Sequence, residues 1–335
     1  MSVALPRIDH NRKLYDTWKA SHSVTHEVAP VISQKPAKLV GGLFPFGYNP
    51  SICRWNGRIL MAYRYHDSRN SWETSLAIAE LNENLETIAN NKIELAGQTN
   101  EDPRLFVWGS ELWIAYVQAS LATPGGMPTC VVRHGKLIEG NLWKIEGQFL
   151  PTFGKNDNTG MEKNWVPWVR NSHIQFVYTS SPYQKVFSTL NLSSEESVGL
   201  RWKWGAIRGG TPPLPLGPGE ISLPERCPTI SFFHSRLDNE PPMEPPSPAY
   251  HHRYYVGAII RNSESEQTAI SRTPILRGSE LDSLEAADRK KCYHWKPNVV
   301  FPLGAIQHPD GWVLSVGVND SACALVTLKE SDLNL

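Results

Sequence analysis

Apolar and aromatic residues fall along this chain in short runs, each cut off by Gly, Asn, Asp or Ser, and long helical periodicity is scarce. Ile59-Leu60-Met61-Ala62-Tyr63-Arg64, Leu112-Trp113-Ile114-Ala115-Tyr116-Val117, Ile174-Gln175-Phe176-Val177-Tyr178 and Trp312-Val313-Leu314-Ser315-Val316 are such runs, with a shorter one at Thr129–Val132. Their β-branched and aromatic content predicts strands. A turn opens each of the four long runs: Trp55-Asn56-Gly57-Arg58, Trp108-Gly109-Ser110-Glu111, Arg170-Asn171-Ser172-His173 and His308-Pro309-Asp310-Gly311. Before each turn stands a proline-containing phrase: Asn49-Pro50-Ser51-Ile52, Glu101-Asp102-Pro103-Arg104, Glu162-Lys163-Asn164-Trp165-Val166-Pro167 and Val299-Val300-Phe301-Pro302. Pro50 and Tyr63 are 13 residues apart, as are Pro103 and Tyr116.

A unit recurring every ~40–60 residues marks a solenoid, a propeller or an array. Short strands with regular turn signals favour a β-propeller, built from four-stranded blades around a channel. The starts at 49, 101, 162, a diverged one near 208, and 299 predict an all-β fold of five blades. Residues 1–40 read as an N-terminal lead-in with a short helix around Asn11–Ala20, and 41–335 as a single propeller domain. Thr211 to Pro248 carries 11 of the 26 prolines, and 235–250 reads as an exposed loop of polyproline character. Ser279-Glu280-Leu281-Asp282, followed by Leu284-Glu285-Ala286-Ala287, predicts a capped accessory helix outside the propeller body.

Hydrophobic residues make up only 40% of the 335, but 12 Trp, 11 Tyr and 10 Phe can fill a core divided among many small sheets. Thirty-three basic residues balance 33 acidic ones, so no global charge draws the chain to nucleic acid or to a membrane surface. Five scattered cysteines without a CxxC pair fit free thiols in a reducing compartment. With no apolar leader at the start and no run of ~20 apolar residues, the expectation is a soluble, cytoplasmic protein.

The sequence holds no phosphate-binding glycine loop, nucleophile elbow or zinc-type Cys/His cluster. What remains is the set of polar signatures at the repeat starts, which a propeller brings to one channel. The acids are Glu101, Asp102, Glu162 and Asp320, and the cations Arg104, Lys163, Arg208 and His234. Carboxylate pairs serve glycosyl transfer, one giving a proton to the leaving oxygen while the other activates water. A buried acid among apolar neighbours has the raised pKa that a general acid needs. Nearby cations suit a phosphate, a carboxylate or a structural ion pair. Each signature also has a structural reading: Glu101–Arg104 as a capped turn, His234 as a core residue, and Trp165, Trp168, Trp202 and Trp204 as core aromatics rather than sugar platforms.

In these signatures the chain resembles the β-mannoside phosphorylases and hydrolases of glycoside hydrolase family 130, over about residues 45–325. Asn49-Pro50 with Leu60-Met61-Ala62-Tyr63-Arg64, and Glu101-Asp102-Pro103-Arg104, match its first two blades. Glu162–Pro167, Gly210-Thr211-Pro212-Pro213, Phe233-His234-Ser235, Tyr255-Val256-Gly257-Ala258, Val299–Gly304 and Val318-Asn319-Asp320 follow in the family's order. The resemblance implies a five-bladed propeller that transfers a glycosyl unit, β-mannosyl in particular, with inversion and with Asp102 as general acid. It implies a sugar held by Asn49, Arg64, Arg104, Lys163, Asn164, Trp165 and Asp320, and an anion met by Lys163, His234 and Arg208. No metal or organic cofactor is implied; inorganic phosphate is a possible co-substrate. The family's third-blade histidine-arginine-proline is replaced by Val177-Tyr178-Thr179-Ser180-Ser181-Pro182, which predicts weak phosphate binding. Hydrolysis or phosphorolysis of an oligosaccharide or glycoconjugate is the leading expectation. A propeller glycosyltransferase using a nucleotide-sugar donor, a non-catalytic glycan-binding or structural propeller and a protein-interaction propeller working through the proline-rich loop stand as alternatives, and an oligomer is compatible with each.

Overall fold

The computed structural model describes residues 35–68, 73–95, 99–120, 129–149, 162–181, 183–190, 193–216, 228–238, 252–261, 268–281, 284, 296, 298–309 and 311–333. The first described element is strand β1 (Ala37–Leu39). Blade 1 follows as β2 (Tyr48–Trp55), β3 (Arg58–Tyr65), β4 (Ser75–Leu81) and β5 (Thr87–Glu94). Blade 2 is β6 (Thr99–Trp108), β7 (Glu111–Ser120), β8 (Thr129–Ile138) and β9 (Trp143–Phe149). Blade 3 is β10 (Val166–Arg170), β11 (His173–Thr179), β12 (Tyr183–Ser188) and β13 (Ser194–Val198). In blade 4 the inner edge is split into β14 (Ala206–Gly210) and β15 (Leu214–Pro215), followed by β16 (Thr229–Asp238), β17 (His252–Arg261), β18 (Thr268–Ile270) and the two-residue β19 (Leu276–Arg277). Blade 5 is β20 (Val300–His308), β21 (Gly311–Val318) and β22 (Ala322–Lys329), with β1 as its outermost strand. The result is a five-bladed β-propeller.

The pairing of β1 with β22, Ala37↔Val326 to Leu39↔Ala324, means that the last blade is completed by chain lying ahead of residue 41. Residues 235–238, expected in a proline-rich loop, are instead the end of β16, while 239–250 lie outside the described residues. At the expected accessory helix a single 3-10 turn, Gly278–Glu280, is described, and 285–295 fall outside. The expected helix at 11–20 also falls outside. Cys53, Cys130 and Cys323 are buried free thiols.

The second strands read as unbroken apolar runs because a propeller blade is covered on both faces. Leu60 through Tyr65 of β3 and Trp312 through Val318 of β21 are buried without alternation. Shared apolar clusters seal most of the ring. Ile52 and Met61 meet Ile306, Val313 and Leu325 between blades 1 and 5. Leu60 and Leu76 meet Leu105 and Ile114 between blades 1 and 2. Phe106 and Val117 meet Trp165 and Phe176 between blades 2 and 3. Ile230 and Phe232 meet Val300 and Leu314 between blades 4 and 5. Blades 3 and 4 differ: Val166, Val177 and Val186 cluster within blade 3, and Trp202, Trp204 and Phe233 within blade 4.

An irregularity recurs near the start of four of the blades. In blades 1, 2, 4 and 5 the pairing of the inner strand with its neighbour shifts by one residue, between Tyr48 and Ser51, Glu101 and Arg104, Arg208 and Gly210, and Pro302 and Gly304. A bulge of this kind frees a residue from the ladder and re-aims its side chain. Asn49 (φ 53°) and Asp102 (φ 51°) occupy it in blades 1 and 2 with left-handed backbones, and Asn and Asp are the side chains that tolerate this best.

Candidate active site

Two of the bulges and the β21–β22 turn bring residues remote in sequence into one bonded cluster. Asn49 Nδ2 donates to Asp102 Oδ1 at 2.9 Å and lies 3.5 Å from Asp320 Oδ1. Asp320 (φ 51°) follows β21 at the tight turn into β22, so blades 1, 2 and 5 each supply one member. Asn49 can sit there because residue 317 is glycine: a Cβ on Gly317 would fall 1.9 Å from Asn49 Oδ1.

Cations surround these acids. Arg64 Nη1 is 3.2 Å from Glu101 Oε2 and 3.5 Å from Asp102 Oδ1, and its guanidinium lies 4.1 Å from the centre of the Tyr48 ring. Lys163 Nζ donates to Glu101 Oε2 at 2.7 Å. Lys296 Nζ donates to Asp320 Oδ2 at 3.1 Å. Arg104, 2% exposed, reaches from blade 2 to blade 4, donating through Nε to the Gly210 carbonyl at 2.9 Å and through Nη1 to the Asp102 carbonyl at 3.3 Å. Burial brings its pKa down to about 10, so it stays charged at neutral pH.

The electrostatics of Asp102 depart from the expectation of an acid among apolar neighbours. Burial pushes its pKa up, but Arg64, Lys163, the Asn49 amide and Arg104 outweigh it and hold the carboxyl below the usual range. In the free site Asp102 is therefore ionised at neutral pH. Glu162 is the carboxyl that burial does raise, against the opposing hydrogen bond from Trp165 Nε1 at 2.9 Å. Burial lowers the Lys163 ammonium, yet Glu101 and Asp102 prevail and keep it above its ordinary value.

His234 is 2% exposed, and its Nδ1 bonds the Gly209 carbonyl at 2.5 Å. Burial, helped by the nearby charge of Arg208, pushes its pKa well below 6.5. It is a neutral imidazole packed edge-on to Phe301 at 4.4 Å, which corrects its place among the cations. Arg208, Lys163 and Asn164 (φ 65°) line a cavity of about 350 Å³ between blades 3 and 4. The Gly209-Gly210 pair permits that approach, since a Cβ on Gly209 would fall 1.9 Å from the Asn164 carbonyl oxygen.

Trp165 is a core side chain rather than an open sugar platform. It is 7% exposed, stacked on Phe187 at 5.4 Å and packed edge-on to Tyr178 at 5.1 Å. Trp202 and Trp204 are likewise buried. Lys296 and Tyr48 escaped the sequence reading, because neither stands in a repeated phrase. Among the described residues no group of three or more His, Cys, Asp or Glu side chains is placed to hold a metal ion, and no helix is long and apolar enough to cross a membrane.

No protein family described by sequence matches the chain, and no curated protein matches it in sequence. Solved structures do match in fold. The β-1,2-mannobiose phosphorylase of Listeria innocua, solved with β-1,2-mannobiose, aligns over 91% of this chain and 94% of its own, at 15% identity and a TM-score of 0.54. A mannose phosphorylase of Leishmania mexicana, solved with phosphate ion, aligns over 96% and 93%, at 12% identity and 0.54. A GDP-Man-dependent mannosyltransferase of the same organism aligns over 94% and 92%, at 12% identity and 0.53. At these identities the likeness is one of architecture: the chain shares the propeller of mannoside phosphorylases and of a mannosyltransferase.

Proposed function

We propose that the chain is a carbohydrate-active enzyme that transfers a glycosyl unit, β-mannosyl in particular, with inversion, by hydrolysis or phosphorolysis of an oligosaccharide or glycoconjugate. The observation that carries this reading is the bonded cluster of Asn49, Asp102 and Asp320, contributed by three blades and bordered by Arg64, Lys163 and Lys296. Carboxylates and an amide in one cleft suit a ring of sugar hydroxyls, each of which can donate and accept. Asp102 is the group that carries the proton of the leaving oxygen, directly or through a sugar hydroxyl. The nucleophile is water or phosphate. Glu162, which lines the same cavity as Lys163, is available to activate water. The neutrality of His234 and the absence of an arginine from Val177–Ser181 favour water over phosphate.

A second reading is supported by the ionised state of Asp102. A carboxylate takes a proton more readily than it gives one, so transfer from a nucleotide-sugar donor to an acceptor hydroxyl, with Asp102 as base, suits the same cluster.

Proton NMR of the purified protein with a panel of β-mannosides, with and without inorganic phosphate, tests the proposal. Free mannose in both buffers is the expected result. Mannose 1-phosphate, formed only with phosphate, would move the reading to phosphorolysis. No cleavage of any β-mannoside would reject it in favour of the transferase.

A further inference from the structure

Arg64 is held in the channel wall by an aromatic face as well as by acids. A single nitrogen, Nη1, reaches both Glu101 Oε2 at 3.2 Å and Asp102 Oδ1 at 3.5 Å. Among the described residues its buried Nε has no hydrogen-bond partner. The guanidinium carbon lies 4.1 Å from the centre of the Tyr48 ring, within the range of a cation–π contact. Tyr48 is 1% exposed and stands opposite Arg64 in the β2–β3 ladder, so the two side chains share one face of the blade.

The ring is anchored in turn. Tyr48 Oη lies 2.7 Å from His66 Nε2, and the two rings stack at 5.4 Å. His66 Nδ1 lies 2.9 Å from the Glu73 carbonyl. A carbonyl only accepts, so Nδ1 carries the proton, and in the neutral imidazole Nε2 accepts from the Tyr48 hydroxyl. Thr74, next in the chain, donates through Oγ1 to the Asn100 carbonyl at 2.7 Å, and the Asn100 amide donates to the Thr74 carbonyl at 2.9 Å. Asn100 leads directly into Glu101 and Asp102. The contacts therefore close a circuit, from Asp102 through Arg64, Tyr48, His66 and Thr74 back to the strand that carries Asp102.

We propose that Tyr48 and His66 are a positioning pair: His66 fixes the Tyr48 hydroxyl, and the Tyr48 ring holds the Arg64 guanidinium against Glu101 and Asp102. The bearing of the pair on catalysis rests on the proposed role of Asp102 in glycosyl transfer; its effect on the Asp102 carboxyl does not. Burial raises that carboxyl, and among the groups that oppose burial Arg64 is the strongest, ahead of Lys163, the Asn49 amide and Arg104. A guanidinium that drifts from its place lets the carboxyl titrate at higher pH.

Carbon NMR of the full-length protein, labelled at its aspartate carboxyls, follows Asp102 directly, with its resonance identified by its loss in Asp102→Asn. Tyr48→Met removes the aromatic face and is expected to raise the Asp102 midpoint by about half a pH unit or more. Tyr48→Leu serves if the Met variant fails to fold. Tyr48→Phe keeps the face but loses the anchor, and a smaller rise is expected. In an Arg64→Met background, Tyr48→Met is expected to add no further rise, because the ring acts through the guanidinium. On any substrate that the wild type turns over, the acidic limb of kcat/KM is expected to move with the NMR midpoint. A midpoint unmoved in Tyr48→Met, or moved equally with and without Arg64, would overturn the proposal. One unmoved in Tyr48→Phe would overturn the part given to His66, and a limb that stays while the midpoint moves would overturn the bearing on catalysis. A midpoint that moves as expected in a protein that cleaves no β-mannoside would uphold the positioning of Arg64 and reject the proposed function alone.

Discussion

Asp102 is the residue on which the proposed proton transfer and the charges of Arg64, Lys163 and Arg104 converge. Its depressed pKa has a direct kinetic consequence. If cleavage needs the protonated form, kcat/KM falls as pH rises through the acid range; if Asp102 takes a proton in transfer, the rate rises with pH and levels before neutrality. In both cases Arg64→Met removes the nearest guanidinium, lets burial raise the pKa, and moves that limb to higher pH. A limb that stays in place would mean that another group titrates. His234 makes a stability prediction of opposite character. Its folded pKa lies below the unfolded value near 6.5, so stability is full above that value and is lost as pH falls towards the folded one. In chemical denaturation between pH 7.5 and 5, His234→Gln is expected to flatten this dependence. Much of the cluster was legible from the phrases themselves, because Asn49 and Asp102 stand at backbone positions that select for Asn or Asp. Protonation was not legible. The sequence shows an acid beside a proline and an arginine, but not the convergence of Arg64, Lys163 and Arg104 upon it. Trp165 misled for a similar reason: whether an indole is covered depends on Phe187 and Tyr178, which reach it only in the folded blade.

The inner strands and their bulges are the elements that make the site, and two buried serines tie them together. Ser51 Oγ accepts from the Leu105 amide at 2.8 Å and donates to the Leu303 carbonyl at 3.1 Å, linking blades 1, 2 and 5. Ser315 Oγ accepts from the Ile52 amide at 3.1 Å and meets the carbonyls of Pro50 and Gly304. Ser51→Ala leaves the Leu105 N–H and the Leu303 carbonyl buried without this partner. It is expected to cost about 1–3 kcal/mol in a denaturant titration and to reduce turnover through loss of the bulge geometry. A cost near zero would mean that the bulges do not depend on this bridge. Four of the five inner strands announced themselves by a proline phrase. The fourth did not, because its bulge is occupied by Gly209, which the close approach of Asn164 requires. Blade 4 is also the blade whose inner edge is broken into two short strands, so a period read from apolar runs could place it only near 208.

The whole ring depends on closure. β1 pairs with β22 to finish blade 5, and Lys35 Nζ bonds Asp332 beside it. A chain beginning at Val40 should therefore melt below one beginning at Lys35, by about 2 °C for each kcal/mol lost. Equal melting temperatures would show that β1 is dispensable. Fold class and blade number were legible because repetition survives even where single motifs erode. Closure was not, since Ala37-Lys38-Leu39 carries no strand signal of its own and is recruited by the exposed edge of β22. The three blades that supply Asn49, Asp102 and Asp320 adjoin one another in the closed ring, and glycosyl transfer at their junction is the central claim. The most direct test compares Asp102→Asn with the wild type on a β-mannoside that the wild type turns over, measuring the rate by NMR and the affinity by calorimetry. A rate reduced by about 10²–10⁴-fold with binding retained is expected. An unchanged rate would contradict it.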